Sequence, residues 1–496
     1  MKRCLYTVGV LFLGLFLAQI IATIQVYASN VHLYSTLVAI IKAGYFPLPN
    51  EGFMPNLRQL GPALLGGLFF TLSVGAGLTF VSMAAAYIWI HLPHRNKAYL
   101  IPYLILWIVA ILMANYRGFC PIVTLYFLII PPAIFLVIVR WTPSQSIQKF
   151  SLNRFIHIIP LFLLALLWWT QTNGPLFLEF RDNLLLSNSF GTKINDFYYA
   201  NTLYPAEVFK PLEDKLLKTV DLEQIGKKPV ARALERALIN YDYLNVAVNG
   251  EADLKILEEG NGFLLMNGRK PILRTSLQEF LSDPKSVLKD FSLKSDKYGF
   301  FRDFTLFSLL IGLPLSLYVF IHALFCLIVY PFAGFRTSSI IASIVCFLLG
   351  LSLWIMFINV RGERIDVKDL PAALDSESWR QRVSALKTIV QSKIEISNFP
   401  NYQRLKTSDH MPERFWLVGA LGVSSRPETW HEIFPFLDDP HPNVQRMALD
   451  ALGQRGNRAA IPEIKKRIET SDHYFSQWYA YKALRALGWK QNRKSK

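Results

Sequence analysis

Leu437–Gly453, LDDPHPNVQRMALDALG, is the stretch whose reading decides the fold. An Asp-Asp-Pro turn leads into a run in which Val444, Ala448, Ala451 and Leu452 recur at spacings of three and four. That spacing marks the core face of an amphipathic helix. The run closes on Ala-Leu-Gly, and so do Pro412–Gly422 (PERFWLVGALG) and Tyr474–Gly488 (YFSQWYAYKALRALG). The closing glycines, Gly422, Gly453 and Gly488, stand 31 and 35 residues apart, a period typical of helix-pair solenoids. Small Ala lets neighbouring helices approach, Leu fills the seam, and each Gly is expected to end its helix in a left-handed turn. Ser378–Val390 (SWRQRVSALKTIV) reads as a further, degenerate inner helix. Stacked helix pairs present long faces suited to binding other macromolecules.

The rest of the chain has a different character. Of 496 residues 52% are apolar and 18% charged, with a mean hydropathy of +0.28; soluble domains average about 25% charged. Crossing a bilayer takes roughly 20 mostly apolar residues. Seven runs qualify or nearly do: Leu5–Ala28, Pro62–Leu92, Tyr99–Ala114, Pro121–Val139, Phe155–Thr172, Phe304–Phe332 and Thr337–Asn359. The third is short. Pro131–Pro132 and Pro314 are expected kink points. Val26-Tyr27-Ala28 resembles a signal-peptide cleavage site, but the apolar run exceeds the usual signal core, which favours a retained anchor. Leu33–Phe46 is too short to cross alone and is expected at the membrane interface.

Residues 1–172 contain ten basic residues against one acid, Glu51, and the C-terminal quarter is again basic. Counted on alternate sides of the spans, Lys2, Arg3, Arg95, Lys97, Arg140, Lys149, Arg154 and Arg336 fall together with no acid among them. The positive-inside bias makes theirs the cytoplasmic side. The N-terminus is then inside, and 173–302, 361–496 and the C-terminus lie outside, the chain being integral to a cytoplasmic (inner) membrane of bacterial type. No nucleic-acid-binding motif accompanies the positive charge.

No Asp, Glu, Lys or Arg lies in any of these spans, which counts against a proton- or ion-coupled path. His91, His157 and His322 are the titratable exceptions, with His94 in the adjoining loop. His157 and His322 could be read as haem or metal ligands; hydrogen-bonding packing residues is the favoured reading, and no cofactor or metal is expected. Cys4, Cys120, Cys326 and Cys346 lie in or beside apolar runs and form no disulfide framework or CxxC pattern. Gly66, Gly67, Gly75 and Gly77 could line a pore, although close helix packing is the commoner reason for such spacing.

The block 173–302 reads as a small α+β domain. Helices are expected over Pro205–Val220, Pro229–Ile239 and Ser276–Phe291, and strands over Tyr243–Val248, Leu254–Glu258 and Gly262–Met266. The polar-aromatic cluster Asn195-Asp196-Phe197-Tyr198-Tyr199, followed by Tyr204, could form a pocket or simply be core. No hydrolase elbow, zincin, phosphate-loop or calcium-loop motif occurs, so no catalytic residue is assigned.

On the strength of Asp438-Asp439-Pro440, Val444 and the three Ala-Leu-Gly endings, residues 371–489 resemble the HEAT-repeat family, in the bacterial form also seen in phycobilisome lyases. The family's usual Arg after that Val is Gln445 here, followed by Arg446; the corresponding positions are Arg414 and Ala480. The bilin-lyase activity of some relatives is not carried over. The expected architecture is an all-α polytopic bundle of about seven helices (1–172 and 303–360), an extracytoplasmic α+β domain (173–302) and a C-terminal HEAT-like solenoid (361–496). The expected role is a membrane-anchored scaffold or assembly subunit that docks other proteins of a membrane complex. A transporter or channel component is the alternative, and an envelope enzyme using Asp196, Arg302 or Asp303 ranks below it. On the second helices, Arg446, Trp478, Tyr481 and Arg485 are the candidate partner-binding residues, with Arg414, Asp450 and Lys482 expected exposed on the same face.

Overall fold

The computed structural model describes residues 2–91, 97–141, 158–170, 179–201, 203–246, 252–260, 262–360 and 365–493. The chain is mostly helical, with one small mixed sheet and a C-terminal array of helix pairs.

Among the described residues, five helical stretches are long and apolar enough to cross a membrane: Cys4–Lys42, Leu60–Ile90, Pro121–Trp141, Gly299–Gly334 and Arg336–Ile358. The expected third and fifth spans form shorter apolar helices, Ile101–Asn115 and Ile158–Trp169. His94 and His157 lie outside the described residues. The first helix differs from expectation: Lys2–Lys42 is continuous for 41 residues and takes in most of the supposed interfacial segment. At 1.5 Å per residue it is roughly 60 Å long, about twice a bilayer core. No Pro or Gly interrupts Asn30–Lys42, so nothing in the sequence breaks it. The last two of these stretches form a hairpin whose bend is Gly334, at φ 69°, a left-handed conformation that glycine adopts without steric cost.

Close packing explains the glycines. Gly67 and Gly75 lie against Ala22 and Ala18 of the first helix, and a Cβ at Gly75 would meet that of Ala18 at 2.4 Å. Two π-turns, Thr71–Gly75 and Ser308–Gly312, interrupt the second and sixth runs. They pack together, with Gly77 against Ser308 and Gly312. The bend expected at Pro314 is therefore a π-turn just before it. His322 Nε2 lies 3.3 Å from the Ser339 carbonyl across the hairpin, and its ring stacks on Tyr318.

The five-stranded sheet runs in the order β2-β1-β3-β4-β5, with β1 (Lys218–Asp221), β2 (Tyr243–Asn245), β3 (Leu254–Glu259), β4 (Gly262–Asn267) and β5 (Lys270–Ser276). β1 pairs parallel with β2 and β3, and β3-β4-β5 form an antiparallel meander. Two expectations need correction. The helix forecast over 205–220 stops at Phe209, before Lys210-Pro211, because the residue preceding a proline is pushed out of helical conformation. The segment then enters β1, where Lys218–Val220 pair with Tyr243–Asn245. β5 was not foreseen; its Pro271 sits at a register irregularity on the sheet edge, where a missing donor is tolerated. Leu234, Leu238, Phe280 and Phe291 close the core over Val220, Leu254 and Leu265.

In the C-terminal array the inner helices are Trp379–Ser392, Met411–Val423, Pro442–Arg455 and Tyr474–Ala486, each packed on the next. The role expected of Ala-Leu-Gly is corrected in two of three cases. Gly422 and Gly453 lie inside their helices, where a Cβ would stand 2.9 Å from Ala451 Cβ and 3.2 Å from Ala483 Cα. They permit close approach. Only Gly488 has the left-handed φ, 78°, and Gly456 at φ 70° caps the preceding inner helix.

Candidate functional site

Four side chains near the starts of the inner helices set the register of the array. Arg382, Arg414, Gln445 and Gln477 each donate to the carbonyl six residues earlier, on Ser376, Ser408, Asp439 and Ser471. The last three follow residues His410, His441 and His473, which precede their helices by one position. The equivalent of Gln445 in the last unit is thus Gln477, not Ala480. Arg382 also pairs with the fully buried Glu413, and Arg414 with Asp439 at 2.7 Å, so the first three units are tied to one another by buried ion pairs, while the pair that reaches the last unit, Arg467 with Asp438, is exposed.

The face carrying the candidate binding residues is covered by other parts of the same chain. Arg446, expected to be exposed, is only 5% exposed. Its guanidinium carbon lies 3.9 Å from the Tyr199 ring centre and 4.0 Å from that of Phe475, a cation between two aromatic faces. Burial pushes its pKa down to about 10, opposed by the Tyr199 contact, so it stays charged at neutral pH. Tyr481 is buried, with its hydroxyl donating to Asp242 at 2.7 Å. Arg485 donates to the same carboxylate at 3.0 Å and to the Asn240 carbonyl at 2.6 Å. Burial raises the Asp242 pKa against the lowering effect of these partners. Trp478 is half-buried beside Phe475, with Lys210 and Lys482 each 5.4 Å from its ring centre. The expectation that these side chains stand free is corrected for Arg446 and Tyr481, and Arg414, also expected exposed, is buried in its pairing with Asp439; Val444, Ala448, Ala451 and Leu452 are core residues as expected.

Further contacts of this kind join the repeats to the rest of the chain, and together they form a clasp. Asp182, in the π-turn Arg181–Leu185, is fully buried; it accepts from Trp416 Nε1 at 2.8 Å and pairs with Lys387 at 3.1 Å and Arg181 at 2.7 Å. Arg181 lies over the Phe415 ring. Asn50 Nδ2 donates to the carbonyls of Ile468, Glu469 and Ser471, the last at 2.9 Å, while its backbone N–H donates to Gln477. Those carbonyls end the outer helix Ile461–Thr470, so a loop side chain supplies that helix's missing C-terminal donors. Gln491 exchanges two hydrogen bonds with the backbone of Phe46, and Tyr474 donates to Glu207.

Of the Asn195–Tyr199 cluster, Tyr199 reaches this interface and Tyr198 packs on Tyr199. Arg302 pairs with Asp296 and Asp303 is exposed, so the structure brings no acid–base pair together there. A cleft of about 200 Å³ lies beside the clasp between Asn188, Thr192, Trp379, His410 and His441. Among the described residues no cluster of His, Cys, Asp and Glu has metal-binding geometry.

The family model for HEAT repeats matches residues 400–494, so the C-terminal part of the chain carries HEAT repeats. Comparison with curated proteins and with solved structures found no match.

Proposed function

We propose that the chain is a membrane-anchored scaffold whose HEAT repeats, together with the small α+β domain, dock other proteins of a membrane complex on the outer face of a cytoplasmic membrane. HEAT repeats are protein–protein interaction modules, and the long apolar helices favour anchoring. The observation that carries the reading is the clasp. The loop 43–58, the segment 181–209, the α+β domain and the repeats hold one another through Asn50, Asp182 and Asp242. The loop 116–119 joins them through Arg117, which donates to the Leu293 carbonyl. Segments that touch must share a side of any membrane, which fits seven crossings with all of these regions outside. The repeats are then a rigid platform. Arg446, Trp478, Tyr481 and Arg485 act on partner binding by holding that platform in place, and the open outer surface, including Arg426 and Lys466, meets the partner.

Affinity capture of the full chain from membranes in mild detergent, followed by mass spectrometry, tests this. A reproducible membrane-complex partner should be recovered, and it should be lost on reversing Arg426 and Lys466 to Glu while insertion persists. Recovery of no protein beyond background would contradict a scaffold. A transporter component is the second reading, and the paired π-turns at Thr71–Gly75 and Ser308–Gly312 favour it, since π-turns are frequent at functional sites. Solute flux in vesicles containing the purified chain alone would support it.

A further inference from the structure

We propose that a collar of basic and aromatic side chains around the loop Tyr116–Phe119 binds anionic phospholipid headgroups and so fixes the α+β domain to the membrane surface. This rests on the membrane reading above. The loop joins two apolar helices, Ile101–Asn115 and Pro121–Trp141, and therefore lies at an apolar–polar boundary. Tyr116 and Phe119, which flank it, are 79% and 73% exposed. Aromatic rings at the ends of apolar helices are the usual anchors at headgroup level.

The α+β domain adds cations to the same place. Arg117 Nη1 donates to the Leu293 carbonyl at 2.6 Å, and Lys270 Nζ donates to the Arg117 carbonyl at 3.3 Å. The Lys297 side chain lies across Gly118, and Arg269 stands exposed beside Lys270. Leu293, 54% exposed, adds an apolar contact between them. The two carboxylates that flank Leu293 in sequence are already engaged, Asp290 with Lys294 and Asp296 with Arg302, and the exposed Asp303 leaves the collar with an excess of positive charge. Four cations with three exposed apolar side chains match a layer that is anionic on one side and hydrocarbon on the other. A soluble acidic protein would satisfy the charges and leave Phe119 in water. Basic side chains beside a membrane attract acidic lipids over a distance of about a Debye length.

Two measurements on the full chain test this. Co-flotation with phosphatidylcholine vesicles examines the membrane reading alone. Native mass spectrometry of chain purified in detergent, after addition of equal amounts of phosphatidylglycerol and phosphatidylcholine, then counts retained lipids. Retention should favour phosphatidylglycerol by at least about threefold. The Arg117→Gln/Lys270→Gln/Lys297→Gln variant should lose that preference, and Lys465→Gln/Lys490→Gln should keep it. Arg269→Gln alone, at an exposed side chain with no hydrogen bond or ion pair among the described residues, should lower it partially. A chain that floats but retains the two lipids equally, or a triple variant with undiminished preference, overturns the collar. Protection of the collar lysines from chemical labelling in native membranes, without lipid preference, overturns it in favour of a protein partner. A chain that does not float overturns the collar and the membrane reading together.

Discussion

Replacing Asp182 by Ala removes the most deeply buried charge of the clasp. The carboxylate is 0% exposed and holds Trp416 Nε1, Lys387 and Arg181 at once. Breaking a buried ion pair by deleting one partner costs about 3–5 kcal/mol, because the remaining charge is left uncompensated. The side chains of Arg181 and Lys387 are 14% and 21% exposed, so both can turn partly to water. The lost Trp416 bond adds about 1 kcal/mol that water cannot restore inside the interface. A net cost of about 2–3 kcal/mol to the docked state is expected, or roughly 30- to 150-fold in the opening equilibrium. Hydrogen exchange in the detergent-solubilised full chain reads this directly, as faster exchange in 181–186 and in the facing helix Met411–Val423. The inner part of the array, Pro442–Arg455, should change little. Asp182→Asn keeps an acceptor for Trp416 and should lose less. Exchange within twofold of the parent in Asp182→Ala would refute the reasoning, as would an Asp182→Asn chain better protected than the parent.

Asn50→Ala should free the end of Ile461–Thr470, costing about 2 kcal/mol for the lost carbonyl caps, and limited proteolysis should begin cutting near residue 471. Gly422→Val should destabilise the array by about 1–3 kcal/mol, because even a Cβ there meets Ala451 at 2.9 Å, and the thermal midpoint should fall. Against burial, which raises it, hydrogen bonds from Ser424, Ser425 and Ser397 lower the Glu395 pKa to about 2. Its folded pKa lies below the unfolded 4.5, so its stabilisation is present above pH 4.5 and is lost as pH falls toward 2. Glu395→Gln should therefore be less stable than the parent at neutral pH, with the difference shrinking at about pH 3 in thermal melts.

The sequence made the array legible because inner helices bury one face, and a buried face imposes a period on a single chain. It misled on register in the last unit alone, since Gly422 and Gly453 each stand twelve residues after His410 and His441 whereas Gly488 stands fifteen after His473, and the repeat that runs through all three is His410/Arg414, His441/Gln445 and His473/Gln477. That four-residue spacing stood in the sequence at intervals of 31 and 32 and could have been found. β1 was hidden in charged Lys218-Thr219-Val220-Asp221, which becomes a strand only because two other strands flank it. The occupants of the repeat face were hidden for a stronger reason. Asp182, Tyr199 and Asp242 lie more than 200 residues from the side chains that hold them, and no local pattern encodes such a meeting. Arg and aromatic residues on a helix face look the same whether the partner is another protein or the same chain.

Topology reporters test the central claim most directly. One is fused after Gly250, within the α+β block, and one after Lys496, in an otherwise intact chain. Both are expected to report the non-cytoplasmic side, because the clasp joins these regions and the positive-inside bias assigns the basic short loops to the cytoplasm. Reports from opposite sides would contradict the clasp and the shared platform.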